Sequence, residues 1–258
     1  MSEIVINAEK IAERAMESAS KGDDIGSVNL FKDAAELFKK AELFDNYAQM
    51  LINASIGTFK IEDYAQTIAL MKSALVQKDY ISNSAVSTIL LQIAQTYITQ
   101  KQAELAKPYA EESYERVLKE SDPIDKAIIE DMMVQLYYEL SMFPEAVDFS
   151  KKLLDSVVLS NIKFEIPRAI FLAQRTLLKT NDNELEFQVT TTISSSVKSK
   201  SKEDVHLIHA AKAMQLFSQE KHFEVSLEIS YARRFLSKNQ FNLEKEMEEV
   251  FEVIEQNI

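Results

Sequence analysis

The stretch Glu62-Asp63-Tyr64-Ala65-Gln66-Thr67-Ile68-Ala69-Leu70-Met71-Lys72-Ser73-Ala74-Leu75 decides how the chain is read. A short polar turn carries an aromatic residue, Tyr64, and small and apolar residues follow at helical spacing. That pattern marks a helix start with one buried face. It returns at Phe143, in Met142-Phe143-Pro144-Glu145-Ala146-Val147-Asp148-Phe149-Ser150, and at Phe223, in His222-Phe223-Glu224-Val225-Ser226-Leu227-Glu228-Ile229. The separations are 79 and 80 residues, and further turns fall midway, near Ala103 and Asn183, while Gly22-Asp23-Asp24 extends the series toward the N-terminus. The repeat is therefore about 40 residues long, enough for two antiparallel helices joined by a turn.

Composition supports helices over strands. Of 258 residues only three are Gly and four Pro, far below the usual shares of about 7% and 5%. Sheet proteins need such residues at their many tight turns, so an all-β fold is excluded. The chain has no Cys, which removes disulfides, thiolate metal sites and a cysteine nucleophile together. Its histidines are His206, His209 and His222, too few for a histidine-rich metal centre. With 41 acidic against 29 basic residues the formal charge is −12, which argues against a duplex nucleic acid partner. No window reaches the roughly 18 uninterrupted apolar residues of a membrane span. Met1-Ser-Glu-Ile-Val-Ile-Asn-Ala-Glu-Lys10 lacks the basic and apolar regions of a secretory signal. The expectation is a cytoplasmic, all-α protein with no cofactor.

The periodicity predicts helices over 4–21, 26–43, 46–60, 62–78, 82–100, 102–119, 123–140, 143–158, 165–180, 183–198, 203–219, 222–237 and 241–256. Asp45, Ser82, Asp122 and Asn183 are candidate caps near helix starts. Pro108, Pro123, Pro144 and Pro167 fall in or close to first turns, where a missing N–H costs little. Ala34, Ala35, Ala94, Ala106, Ala146, Ala173 and Ala211 are placed to let neighbouring helices approach closely. A single hairpin cannot bury its apolar stripe, but stacked hairpins can. Without a Pro/Gly/Ser-rich linker the chain reads as one continuous domain. The one biased stretch, Ser194 to Lys202, reads as a solvated turn.

No catalytic constellation is present. The chain lacks a phosphate-cradling glycine loop and a His-Glu-x-x-His pair. His206 and His209 share a helix face, but two ligands do not make a metal site. Glu248, Glu249, Glu252 and Glu255 read as the solvated face of a last helix that buries Val250, Phe251 and Ile254. The chain is not expected to be an enzyme. One helix departs from the acidic background: Arg168, Arg175 and Lys179 stand at i, i+7 and i+11, within about 40° of one another at 100° per residue. They are expected to form a basic stripe opposite Ile166, Ala169, Ile170, Ala173 and Leu177, suited to an acidic helical partner. Exposed pairs contribute only about 0.2–1 kcal/mol each, so such a contact would act through several at once.

Ser27-Val28-Asn29-Leu30-Phe31-Lys32-Asp33-Ala34-Ala35-Glu36-Leu37-Phe38-Lys39-Lys40-Ala41, continuing through Phe44-Asp45-Asn46-Tyr47-Ala48, resembles the second and third helices of soluble NSF attachment proteins (SNAPs). There an Ala-Ala-x-x-Phe-Lys core precedes an aromatic turn. Leu140 to Phe149 and Ile162 to Phe171 are similar to that family's central hairpins, and Glu203 to Phe235 with helix 241–256 fits its helix order. The resemblance implies a tetratricopeptide-like α-solenoid with helices longer than those of a 34-residue tetratricopeptide unit. In it, residues 1–200 form a curved sheet of hairpins and 201–258 a C-terminal helical bundle or cap.

The resemblance also implies an adaptor in vesicle traffic. The family's hairpin sheet packs along a four-helix SNARE bundle, and its C-terminal end docks a hexameric AAA+ ATPase of the NSF type. Of the family's inner-face lysines, Lys163 keeps its residue type; two further positions hold Leu105 and Ile128, with Lys107 and Lys126 the nearest lysines. The acidic docking end would comprise Glu220, Glu224, Glu228, Glu252, Glu255 and the aliphatic Ile258. The family's membrane-contacting loop corresponds to Lys21-Gly22-Asp23-Asp24-Ile25-Gly26, where only Ile25 and nearby Val28 are apolar. Two aliphatic side chains give about 3–6 kcal/mol when fully buried, offset by desolvation of Asp23 and Asp24, so at most a weak peripheral contact is expected. The alternative is a general tetratricopeptide scaffold that holds a peptide or helix in its concave groove.

Overall fold

The computed structural model describes residues 3–120, 122–162, 165–180, 182–196, 205–239 and 245–257. Among these residues the chain forms thirteen α-helices and no strand. They are α1 (Glu3–Ser20), α2 (Asp24–Lys40), α3 (Phe44–Lys60), α4 (Tyr64–Leu75), α5 (Asn83–Thr99), α6 (Ala103–Glu120), α7 (Pro123–Glu139), α8 (Phe143–Leu159), α9 (Ile166–Leu177), α10 (Asn183–Ser196), α11 (Val205–Ser218), α12 (His222–Asn239) and α13 (Lys245–Glu255). Successive odd-numbered helices begin 39 to 43 residues apart and even-numbered ones 39 or 40 apart. The 40-residue period is therefore the hairpin repeat.

One turn geometry, used over and over, explains how so many helices are joined with three glycines. Gly22, Glu42, Glu62, Lys101, Ser141, Asn161 and Glu220 all have positive φ, between 55° and 81°. The amide of the next residue (Asp23, Leu43, Asp63, Gln102, Met142, Ile162 or Lys221) donates to the carbonyl five residues back, at 2.9–3.1 Å. This closes the outgoing helix in the manner of a Schellman motif. At every one of these turns except that of Ile162, which precedes α9 and its N-cap Glu165 by several residues, the donor residue then starts the incoming helix; the carboxylates of Asp23 and Asp63 accept from the amides of Gly26 and Gln66. Of the expected caps, Ser82 accepts from Ala85 and Asp122 from Ile124 and Asp125. Asp182, not Asn183, caps α10, by accepting from Leu185 at 2.7 Å. Asp45 instead accepts from the amide of Ser82 at 2.8 Å and so ties the start of α3 to that of α5. Pro123, Pro144 and Pro167 open their helices, whereas Pro108 lies inside α6, past its first turn.

The turns also set the register of the aromatic signal. Tyr64 packs on Phe59 with ring centroids 5.4 Å apart, and Phe143 on Tyr138 at 5.9 Å. At the third turn the equivalent residue is His222, on Phe217 at 6.5 Å. Phe223, the residue the sequence pattern selects, stands one position further on and is 81% exposed.

The chain comprises two compact units, residues 1–121 and 122–258. In the first, α1 to α6 pack each on the next. Its core runs through Phe31, Phe38, Tyr47, Leu51, Met71, Ile89 and Ile93. Gly57 of α3 is required here, because a Cβ at this position would lie 2.5 Å from Cγ2 of Val28 in α2. In the second unit α7 is buried on nearly every side, against α8 and α9. Met133 and Leu136 of α7, Leu153 and Leu154 of α8, and Ile170 and Phe171 of α9 are buried there. Toward the chain's end α11 packs on α9, α12 and α13, and Val250, Phe251 and Ile254 are buried as expected. All seven alanines expected at helix contacts have no exposed surface. Buried hydroxyl pairs link neighbouring helices, Thr58 with Thr67 at 2.8 Å and Ser87 with Ser113 at 3.0 Å.

Candidate functional site

The basic side chains of α9 share a face, as their spacing requires, but that face is covered. Within the second unit α9 lies beside α7. Arg168 Nε donates to Oδ2 of Asp131 at 2.7 Å, and Arg175 Nη2 donates to Oε1 of Glu139 at 3.1 Å. Eight residues separate the two acids on α7 and seven the two arginines on α9, so the pairs form successive rungs between the helices. Arg175 is 4% exposed and stacks on the ring of Tyr138. The expectation of a solvent-facing stripe is thus corrected: two of its three members are tied into the α7–α9 contact. A stripe opposite the main apolar set is still buried when a parallel neighbour brings matching carboxylates to it. Lys179, in the turn after α9, is exposed.

The other basic candidates are dispersed. Lys126 lies on α7, its Nζ 3.7 Å from Oε1 of Glu130. Lys107 is a half-buried residue of α6 in the first unit. Lys163 lies outside the described residues. Leu105 and Ile128 keep about half of their surface in solvent.

At the acidic end, Glu220, Glu224 and Glu252 are exposed. Glu228 turns inward, pairing with Nδ1 of His209 at 2.5 Å and standing 3.8 Å from Nζ of Lys212. His209 is thereby engaged by a carboxylate, and its ring also contacts Tyr231. Glu255 and Glu248 clamp Arg233 of α12, at 2.7 and 2.6 Å. These two acids hold the guanidinium firmly in its charged form. They staple α13 to α12, so Glu255 is not a simple surface charge. Ile258 lies outside the described residues. Phe223, Leu227 and Tyr231 form an exposed i, i+4, i+8 row on α12 beside Glu220 and Glu224.

The two residues expected at a membrane part company. Ile25 is exposed, whereas Val28 is buried in the space that Gly57 leaves for it. A single aliphatic side chain beside Asp23 and Asp24 is a poor membrane anchor. No helix among the described residues is long and apolar enough to cross a membrane.

The structure adds residues that sequence reasoning missed. Glu130 of α7 has no exposed surface, and neither of its carboxylate oxygens has a hydrogen-bond partner. Burial pushes this carboxyl above its ordinary range, against the opposing pull of the Ser156 hydroxyl, Lys126 and Lys152. Between α2, α3 and α4 a groove of about 380 Å³ has buried Leu51 and Leu70 at its floor, with Lys32, Glu36, Lys39 and the exposed Val76 at its rim. No group of three or more His, Asp or Glu side chains among the described residues is placed to hold a metal ion. No protein-family model matches the sequence, and no curated protein matches it as a relative.

Proposed function

We propose that this chain is a protein-binding adaptor whose stacked hairpins present surfaces to other proteins, and that its partners are those the SNAP resemblance implies. On this reading it lies along a helical, SNARE-like bundle and recruits an NSF-type AAA+ ATPase. The observation that carries the reading is the hairpin period of about 40 residues, longer than a tetratricopeptide unit and kept through all thirteen described helices. Exposed Glu220, Glu224 and Glu252 support an acidic docking end. The structural roles of Arg168 and Arg175 leave Lys179 as the basic residue of that region to test. The experiment is a pull-down from the source lysate with non-hydrolysable nucleotide and mass spectrometry. A AAA+ ATPase retained by the wild type and lost on combined Glu220→Lys, Glu224→Lys and Glu252→Lys substitution is the expected result. Failure of any such ATPase to co-purify would remove the SNAP-like reading.

A second reading, a scaffold for an extended peptide, is favoured by the groove between α2, α3 and α4. Its apolar floor and mixed-charge rim suit a peptide with alternating apolar and charged residues. Tight binding of an isolated extended peptide, lost on Leu70→Asp substitution, would distinguish this reading from capture of a folded bundle.

A further inference from the structure

Helix α12 buries one side and leaves the other uncovered. Val225, Ile229 and Ala232 form its buried side, and α11 packs along the helix. Phe223, Leu227 and Tyr231 fall on the opposite side and keep 81%, 43% and 44% of their surface in solvent. Apolar residues scattered singly over a surface are ordinary. Three in one row at i, i+4 and i+8, two of them aromatic, make a strip that another helix can cover.

The residues around the row select that helix. Four positions to either side of Leu227 stand the aromatics Phe223 and Tyr231, and seven positions to either side stand Glu220 and Arg234. Glu220 and Arg234 are both exposed, and neither has an ion-pair partner among the described residues. Arg234 lies within about 20° of Phe223 at 100° per residue, so it shares the face, and Glu220 stands in the turn that opens the helix. The order acid, aromatic, aliphatic, aromatic, base is its own complement when reversed. Two copies of α12 laid antiparallel about a twofold axis at Leu227 place Leu227 on Leu227, each Phe223 on a Tyr231 and each Glu220 by an Arg234. Glu224 then falls opposite Ser230, so no acid meets an acid on this face. Arg233 is turned away, to Glu248 and Glu255 of α13. Other occupants match less well. A parallel copy would set Glu220 against Glu220 and Arg234 against Arg234. A uniformly basic helix would be repelled at Arg234, and a uniformly acidic one at Glu220 and Glu224.

We propose that α12 is a self-association surface through which two copies of this chain pair, antiparallel, as an isologous dimer. Aromatic contacts and the two end ion pairs set its register. Three apolar side chains per copy cover far less than the roughly 800 Å² per partner of a standard interface, so the dimer forms and dissociates with concentration. On the adaptor reading it has a consequence: Glu220 and Glu224 are acids of the docking end, the dimer covers them, and the single chain is the form that docks.

The test is sedimentation of the full chain across a concentration series from low micromolar to several hundred micromolar. The weight-average mass should rise from the monomer's 29.4 kDa toward the dimer's. Leu227→Asp should abolish the rise. Glu220→Arg and Arg234→Glu should each weaken pairing about fivefold or more, since each sets like charges against one another at both ends of the dimer. An equimolar mixture of these two variants should recover pairing as strong as wild type, because the mixed dimer again has opposite charges at both ends. All three positions are exposed, so the variants should keep the wild-type melting temperature. A mass that stays monomeric at every concentration would overturn the proposal. Charge variants that pair like wild type, or a mixture that fails to recover, would overturn the antiparallel register. A monomeric mass combined with loss of a pulled-down protein on Leu227→Asp substitution would give the face to a different partner and also overturn self-pairing. Sedimentation uses the isolated chain, so its outcome is independent of whether an ATPase co-purifies.

Discussion

The guanidinium of Arg175 lies flat over the ring of Tyr138, its central carbon 4.0 Å from the ring centroid. The same guanidinium donates to Glu139, the next residue along α7. Cation–π stacking and a largely desolvated ion pair therefore act on one buried side chain. Arg175→Ala should lower stability by about 3 kcal/mol, because it leaves Glu139 without its partner in a partly buried site. Lys179→Ala, at an exposed position, should stay within about 0.5 kcal/mol of wild type. Urea denaturation of the two variants checks both. Charge reversal at Arg175 reports on folding, so a binding test in this region belongs at Lys179.

Glu130 gives the second unit a dependence on pH. Its folded pKa is raised by burial, whereas in the unfolded chain it titrates near the usual value of about 4.3. Below the unfolded value the carboxyl is neutral in both states and the fold bears no cost. As pH rises through the unfolded and then the folded pKa, the unfolded chain releases its proton first, and stability from this group falls. Glu130→Gln should therefore raise stability at neutral pH and flatten the loss between acid and neutral pH. Thermal melts of wild type and variant across that range check the prediction; an unchanged slope would remove Glu130 as its source.

The left-handed turn residues are sites of local strain. A non-glycine residue with positive φ carries about 1–2 kcal/mol of steric cost, and Glu62 and Ser141 occupy such positions at 61° and 57°. Glu62→Gly and Ser141→Gly should each stabilise by about 0.5–1 kcal/mol after the added freedom of the unfolded chain is deducted. A β-branched residue at either position should have the opposite effect. Denaturant midpoints of the four variants provide the comparison.

Gly57 and Val28 form a coupled pair. Gly57→Ala places a methyl 2.5 Å from Cγ2 of Val28, an overpacking change that should cost about 1–3 kcal/mol. Val28→Ala alone should also destabilise, by opening space. The double variant should lose less than the two changes summed, since the new methyl occupies part of that space. Strict additivity in a double-mutant cycle would contradict the contact.

The acidic staple on α13 should be sensitive to salt. Arg233 meets Glu248 and Glu255 in a half-exposed setting, where screening acts strongly. Arg233→Ala should expose the α12–α13 segment to limited proteolysis at low ionic strength. The difference from wild type should narrow as salt is added.

Most of the helix map is legible in the sequence. Predicted and observed boundaries for α7 and α8 differ by a residue or less, because Asp122-Pro123 and Phe143-Pro144 mark their starts by local chemistry. The alanines assigned to helix contacts are buried because residues of that size at those spacings have no other role in a stack. The third aromatic was misplaced by one residue, since His222 and Phe223 are adjacent and only the turn geometry shows which of them meets Phe217. The α9 stripe was read correctly as a face but wrongly as an open one. The partners Asp131 and Glu139 lie 37 and 36 residues earlier in the chain, and periodicity within one helix carries no information about such neighbours.

The sequence by itself determined where the helices run, how long each hairpin is and which small residues face inward, because turns, caps and periodicity act over a few residues. Tertiary structure alone decided which charges are spent inside the molecule. It closed Arg168 and Arg175 against α7, and it buried Glu130, Val28 and the amide of Gln174. Each of these depends on what a second helix brings within hydrogen-bonding distance, and that is a property of the packing.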